Sequence, residues 1–296
     1  MPDAALVEWF AAPLRYGFMQ RGLLASVLVG AVCAVIGCYV VLRGMAFLGD
    51  AMAHAILPGV AVAYLWGANL LLGAAVAAVA VALLIGAVSR QGRIKEDTAI
   101  GILFAGALSL GIALISSSRG YAVDLSHILF GDVLGVSRGD LLLIGALGAA
   151  VVGTIVLLYK ELLVVSFDPV LAATLRLPVE PLRILILLLL AVTIVASLPA
   201  VGVGLVAAML VTPPATASLL TRRLPPMMLI SAVLGAASGF TGIYLSYYLD
   251  VASGAAVVLV ATGLFGAVYL FHPRGGLLPT WWSGRPARFR RAAGSR

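Results

Sequence analysis

Long apolar runs separated by short polar connections follow one another along most of the chain. A membrane-spanning helix needs about 20 largely apolar residues, and the runs here are too long and too continuous for barrel strands. The pattern predicts nine candidate spans, at residues 17–42, 51–66, 69–89, 98–117, 140–159, 182–200, 203–221, 226–249 and 252–271. We therefore expect an all-α polytopic membrane protein, with residues 1–296 forming a single integral membrane domain.

The two weakest of these spans contain prolines that remove backbone hydrogen-bond donors. The span at 51–66 is short and contains Pro58, and the span at 203–221 contains Pro213 and Pro214. Proline inside a helix kinks or breaks it. We therefore expect helix breaks at these three prolines, and a total of eight spans stays open beside nine.

Composition places the chain in the membrane class independently of the spans. Apolar residues make up 62% of the chain and charged residues 10%, whereas soluble domains are about 25% charged. The net charge of +7 could indicate nucleic acid, but most cations lie beside apolar segments or in the tail. The bias of cations toward the cytoplasmic side of membrane proteins explains this placement better, so we expect no nucleic-acid partner. Cys33 and Cys38 form no CxxC motif.

The distribution of lysine and arginine predicts an orientation in the plasma or inner membrane. Placing 90–97 in the cytoplasm puts most of the 19 cations on that side of a nine-span chain. Residues 160–181 then form a cytoplasmic segment and residues 272–296 a basic cytoplasmic tail. The N-terminus lies outside, where Arg15 and Arg21 argue against it, and residues 1–16 form an interfacial lead-in rather than a cleavable signal.

Asp50 and His54 lie four residues apart, which places them on one face of a helix. An aspartate at the centre of a membrane helix costs roughly 2.5–3.5 kcal/mol, so such residues usually face a cavity or a partner. A carboxylate and an imidazole suit manganese, zinc or ferrous iron. The alternative is a structural pair, or an aspartate that caps a helix starting near Gly49. Two ligands do not complete a coordination shell, so a metal site requires a second copy of the chain or further ligands.

Two polar connections contain further candidates. Residues 118–140 form the longest non-helical connection, on the external side, and hold Asp124, His127 and Asp132, which either receive ions or are ordinary solvated loop residues. In 160–181, Asp168 and Pro169 are typical of a helix start. The short helix that follows is not stable alone, so we expect packing to hold it.

Five ordered blocks of sequence together resemble the ABC-3 family, the permeases of manganese and zinc ABC importers. The blocks are "LRGMAFLGDAMAHAILPGVAVAY" at 42–64, "EDTAIGILFAGALSLGIALIS" at 96–116, "FGDVLGVS" at 130–137, "MLVTPPATASLL" at 209–220 and "GIYLSYYLDVASGAAVVL" at 242–259. One residue departs from the family pattern, because relatives usually have alanine at the position of Pro214.

This resemblance implies a type II ABC-importer-like permease that works as a homodimer. It implies two cytoplasmic ATPase subunits, an extracytoplasmic metal-binding protein, and no permanently bound cofactor. Asp50 and His54 would contribute to the metal pathway, and the short helix within 166–177 would dock on the ATPase. We expect Phe167, the one large aromatic there, to anchor it beside Asp168 and Pro169.

Asp250 ends the stretch "YLSYYLD" and is interpreted as a helix-end or gate residue, with metal ligation as the lesser alternative. Enzyme classes lack support, because the sequence contains no HExxH and no GxGD site, and without GxxxxGK[ST] the ATPase must be another polypeptide. The rival function is an ATP-independent secondary metal transporter or channel, which would need no docking helix. We expect inward transport of Mn²⁺ or Zn²⁺, with Fe²⁺ also open, by alternating access around Asp50 and His54.

Overall fold

The computed structural model describes residues 12–90, 95–116 and 133–271, and every regular element within these ranges is helical. Three predictions lie outside the described residues: the roles of Asp124, His127 and Asp132, most of the lead-in, and the tail at 272–296. In chain order the helices are α1 (Gly17–Leu42), α2 (Phe47–Ala55), α3 (Leu57–Leu65), α4 (Leu70–Arg90), α5 (Glu96–Ser116), α6 (Arg138–Leu157), α7 (Tyr159–Phe167), α8 (Pro169–Thr174), α9 (Val179–Leu220), α10 (Leu224–Leu249) and α11 (Ser253–Phe271).

Helices α1 and α10 pack closely and antiparallel through small residues. A Cβ atom on Gly30 would lie 2.5 Å from the carbonyl oxygen of Gly235, so neither position has room for a side chain. Further toward the end of α1, Cys38 Sγ donates to Ser231 Oγ over 3.3 Å. In lipid no hydrophobic driving force brings helices together, and small residues favour their association by letting the backbones approach closely. The start of α10 therefore lies beside the end of α1.

The two faces of the bundle are named here after one arginine each. The Arg43 face holds Arg43, Glu96 and Arg183, which are joined by ion pairs. On the Arg138 face, Arg138 lines an open cavity of about 520 Å³ together with Gly17, Gln20, Arg21, Leu141 and Leu142. Helix α1 runs from the Arg138 face to the Arg43 face.

Helix α9 reverses its direction at Gly202. A straight helix of its 42 residues would be about 63 Å long, twice the roughly 30 Å of a bilayer's hydrocarbon core. Both ends of α9 nevertheless lie at the Arg43 face, because Arg183 pairs with Glu96 there and Leu220 directly precedes α10. Gly202 has φ 72° and ψ 168°, a conformation that favours glycine, and the two arms meet at this residue.

Eight helical stretches in the described ranges are long and apolar enough to span a membrane, with α2 and α3 counted as one stretch. Because α9 makes two passes, these eight stretches give nine crossings, one of the two totals that the sequence leaves open. Residue 17 therefore lies at the opposite face from residue 271.

The prolines behave differently from one another. Between α2 and α3 the helix is interrupted at Ile56, and Pro58 is the second residue of α3, where a missing N–H is tolerated. In the second arm of α9 the helix continues through Pro213 and Pro214. The helix break predicted at Pro213 and Pro214 is therefore wrong, and the break in α9 lies at Gly202 instead.

Burial separates a central pair of helices from a peripheral set. In the most apolar 18-residue stretch of each helix, 72% of α9 and 67% of α1 is buried inside the chain, against 17% of both α5 and α11. Helices α1 and α9 therefore form the core, while α5 and α11 present apolar surface outward, to lipid or to another chain.

Candidate functional site

Asp50 and His54 lie on one side of α2, as their spacing predicts. His54 Nε2 is 3.6 Å from Asp50 Oδ1, and the side chains are 30% and 43% exposed respectively. The other residues of this helix are mostly buried, namely Leu48, Gly49, Ala51, Met52, Ala53 and Ala55. The acid and the imidazole thus form an open strip on an otherwise buried helix.

The structure excludes the helix-cap interpretation of Asp50. Helix α2 begins at Phe47, its N-cap residue is Ala46, and no side chain caps its first turn. Asp50 therefore lies inside the first turn, where an acid interacts favourably with the helix dipole without being required to start the helix. A structural pair and a pair of metal ligands remain as interpretations.

Aromatic contacts fix the depth of this pair in the bundle. The ring of Phe104 meets His54 edge-on with centroids 6.1 Å apart, and it meets Phe47 at 5.4 Å. Phe104 lies eight residues after Glu96, about 12 Å along α5 from the Arg43 face. His54 is therefore near the middle of the roughly 30 Å apolar layer.

One chain brings only two ligand side chains to this place. Within the described ranges no group of three or more histidine, cysteine, aspartate or glutamate residues is close enough to hold a metal ion. Asp250 does not join the pair, since it is the exposed C-cap of α10 at the Arg138 face, with φ 53°. Its predicted metal role therefore has no contact with Asp50 to support it.

Helices α7 and α8 form a compact segment at the Arg43 face, called here the coupling segment. Asp168 caps α8 by accepting hydrogen bonds from the backbone N–H groups of Val170 and Leu171 at 3.0 and 2.9 Å, and Pro169 is its first residue. Apolar side chains point outward from this segment, namely Phe167, Val170, Leu171 and Leu175, with Phe167 57% exposed. An open cavity of about 510 Å³ lies between Phe167 and the start of α10 at Pro225.

A cluster of four charged residues at the Arg43 face is absent from the sequence predictions. Arg43 Nη2 donates to both carboxylate oxygens of Glu96, at 3.1 and 3.4 Å. Arg183 Nε lies 3.4 Å from Glu96 Oε1, and Arg183 Nη1 lies 3.6 Å from Glu180 Oε1. Burial lowers the pKa of the Arg43 guanidinium, and the Glu96 carboxylate opposes that shift. The sequence did contain a signal for this cluster. Acids lie among the cations at the ends of three predicted spans, where they can pair.

Comparisons with known proteins agree over nearly the whole chain. The chain is 50% identical over 283 residues to a manganese transport system membrane protein, MntC, of Halalkalibacterium halodurans, covering 96% of this chain and 97% of that protein. It is 38% identical over 260 residues to a probable iron transport system membrane protein of Haemophilus influenzae, covering 88% and 96%. The solved structure of PsaBC from Streptococcus pneumoniae in complex with Fab aligns with a TM-score of 0.80 at 36% identity, covering 90% and 96%.

The profile of the ABC 3 transport family matches residues 15–272. That range extends from the first crossing to the last. The chain therefore belongs to the ABC 3 transport family.

Proposed function

We propose that this chain is the membrane-spanning subunit of an ATP-driven importer of a divalent transition metal, with manganese as the first candidate. The observation that carries this proposal is the open carboxylate and imidazole pair near the middle of an apolar bundle. Relatives named for manganese and for iron transport support the metal class. Zinc accepts the same ligand types, so the donor atoms alone do not select one metal.

The working unit is a homodimer. Asp50 and His54 are two ligands, fewer than the four to six that these metals take, and both side chains are open to the outside of the single chain. A twofold axis beside α2 would bring a second aspartate and a second histidine to the same ion. The peripheral helix α5 carries Phe104 beside His54 and offers apolar surface for such a contact.

The Arg43 face is cytoplasmic in this proposal, and so is the C-terminus. Cations at helix ends are enriched on the cytoplasmic side of membrane proteins. Four of them lie on the Arg43 face, namely Arg43, Arg183, Arg222 and Arg223. A separate ATPase subunit binds the coupling segment through Phe167, beside the helix start made by Asp168 and Pro169. An extracytoplasmic metal-binding protein delivers the ion to the Arg138 face, and ATP-driven motion then exposes the site to alternate sides.

Metal uptake by the complete system tests this proposal. Cells expressing the chain with its ATPase and binding protein should accumulate trace Mn²⁺, and Zn²⁺ and Fe²⁺ are compared at the same concentration. We expect uptake to stop when the ATPase subunit is omitted or inactivated. Uptake that persists without the ATPase would favour the ATP-independent transporter or channel instead.

The coupling segment gives a prediction on partner binding. Phe167→Ala should weaken co-purification of the ATPase subunit by about tenfold or more, because buried aromatic anchors dominate interface energies. The permease should still insert and reach normal abundance. Phe271→Ala is the matched control, since Phe271 is a 69% exposed aromatic at the same face outside the coupling segment. Unchanged ATPase binding and transport in Phe167→Ala would remove this residue from the interface.

A further inference from the structure

The charged cluster of Arg43, Glu96, Glu180 and Arg183 lies between the coupling segment and two helices, α2, which holds the candidate metal pair, and α5, which packs against it. Helix α9 starts at Val179, four residues after the C-cap of α8, and Glu180 and Arg183 lie in its first turns. A displacement of the coupling segment therefore displaces Arg183 directly.

Glu96 connects this arginine to the metal pair from one side. It is the first residue of α5, and the same helix carries Phe104, whose ring packs against His54. The pairing of Arg183 Nε with Glu96 Oε1 thus links the coupling segment to the histidine through one rigid helix.

Arg43 connects the cluster to the metal pair from the other side. It is the C-cap of α1 and precedes the short turn that leads into α2, where Asp50 lies in the first turn. Because Glu96 binds Arg43 and Arg183 at once, one carboxylate connects all three helix ends.

Burial strengthens the electrostatic attraction within this cluster, and breaking one of its contacts would leave a buried charge unpaired. The side chains of Arg43, Arg183 and Glu96 are 10%, 16% and 20% exposed, so water screens their attraction weakly. Arg43 Nη1, Arg183 Nη2 and Arg183 Nε are buried and have no hydrogen-bond partner, so the contact of Arg183 Nε with Glu96 Oε1 is an ion pair without a hydrogen bond. These spare donors let the carboxylates change partners during a displacement without leaving a charge unpaired, as an element with two stable arrangements requires.

We propose that the charged cluster transmits movement of the coupling segment to α2, which holds Asp50 and His54, and to α5, which packs against His54, with Glu96 as the central positioning residue. This inference rests on the proposed function, in which an ATPase moves the coupling segment. It adds a route by which movement of the coupling segment reaches the candidate metal site.

The test measures Mn²⁺ ions taken up per ATP hydrolysed by the purified importer, with ATPase and binding protein, in proteoliposomes. Glu96→Gln keeps the size of the side chain and removes its charge, and we expect this ratio to fall roughly fivefold or more. ATPase binding, ATP hydrolysis and Mn²⁺ affinity should stay unchanged. Asp97→Asn is the matched control, because Asp97 is an exposed acid in the same first turn. It should keep the wild-type ratio.

A purely structural role for the cluster predicts another pattern, in which ATPase binding, hydrolysis and uptake fall together while the ratio stays normal. That result would overturn the proposal. If Glu96→Gln does not assemble, Glu180→Gln decides, since Glu180 is 37% exposed and its described ion pair is with Arg183. A smaller fall of the ratio in that variant supports transmission, and a wild-type ratio refutes it. Failure of the proposed function would appear elsewhere, as normal ATPase binding in Phe167→Ala or unchanged metal binding in Asp50→Asn.

Discussion

Asp50→Asn should abolish metal uptake while the protein reaches the membrane in normal amount. Asparagine keeps the size of the side chain but lacks the charge that attracts and binds a divalent cation. Even the outer-shell partners of a bound metal are worth about 10–100-fold in affinity, so loss of a direct ligand should reduce uptake by at least about 100-fold. His54→Leu should have a similar effect, because it removes the nitrogen and replaces it with a side chain compatible with an apolar layer.

Two measurements separate this prediction from a structural role. Mn²⁺ binding to the purified protein by equilibrium dialysis should be lost in Asp50→Asn, and thermal stability in detergent should change little, since Asp50 does not cap α2. Asp250→Asn is the matched control, because asparagine tolerates the left-handed conformation that Asp250 adopts. Full uptake by Asp50→Asn at normal expression would show that the carboxylate and imidazole are only a structural pair.

Gly37→Ala should prevent α1 and α9 from packing and so destabilise the whole bundle. A Cβ atom on Gly37 would overlap the carbonyl oxygen of Leu210 and lie 2.9 Å from both its carbonyl carbon and Pro214 Cγ. These atoms belong to the backbone and to a proline ring of α9, and they cannot rotate away. Overpacking in a close-packed core costs about 1–3 kcal/mol, and a backbone collision belongs at the upper end of that range or beyond. A lowered unfolding temperature in detergent and reduced membrane abundance are the expected results.

Gly145→Ala provides the comparison for this variant. Gly145 lies inside α6, and a Cβ atom there would meet nothing within 4 Å. Alanine favours helix over glycine by up to about 1 kcal/mol, so this variant should be neutral or slightly more stable. Equal unfolding temperatures for Gly37→Ala and Gly145→Ala would mean that α1 and α9 do not approach as closely as described.

The close contact at Gly37 also explains how α9 continues through Pro214. Pro214 has no N–H to donate to the carbonyl of Leu210, its partner four residues earlier. That carbonyl lies against Gly37 instead, where Cα–H groups give a weak substitute contact. Proline is thus tolerated because a glycine on another helix covers the carbonyl that it frees, and no local sequence pattern records that arrangement.

The spans themselves were predictable, because the thickness of the bilayer sets the length of each apolar run. The span expected at 140–159 occurs as Arg138–Leu157, and the boundary expected between 200 and 203 coincides with the reversal at Gly202. The i and i+4 spacing also placed Asp50 beside His54. The depth of this pair in the bundle and its exposure depend on how α2 packs against α5 and α9, and the periodicity of the sequence does not encode that packing.

The charged cluster was not predictable for a related reason. Arg43 and Glu96 are 53 residues apart in sequence, and each alone resembles an ordinary charge at the end of a span. Only the convergence of three helix ends makes them partners. Long-range ion pairs of this kind carry no local signature, whereas the Asp168 cap of α8 follows directly from an aspartate before a proline.

The odd number of crossings between residues 17 and 271, counted over the described ranges, limits how two copies of this chain can be combined in one polypeptide. Residue 17 lies at the Arg138 face and residue 271 at the Arg43 face, so the end of one copy and the beginning of a parallel second copy are separated by the full thickness of the membrane. A short soluble linker between two tandem copies would force the second copy to insert upside down. A genetically fused dimer in which both halves point the same way therefore needs an additional hydrophobic helix between them, whereas two independently inserted chains need none.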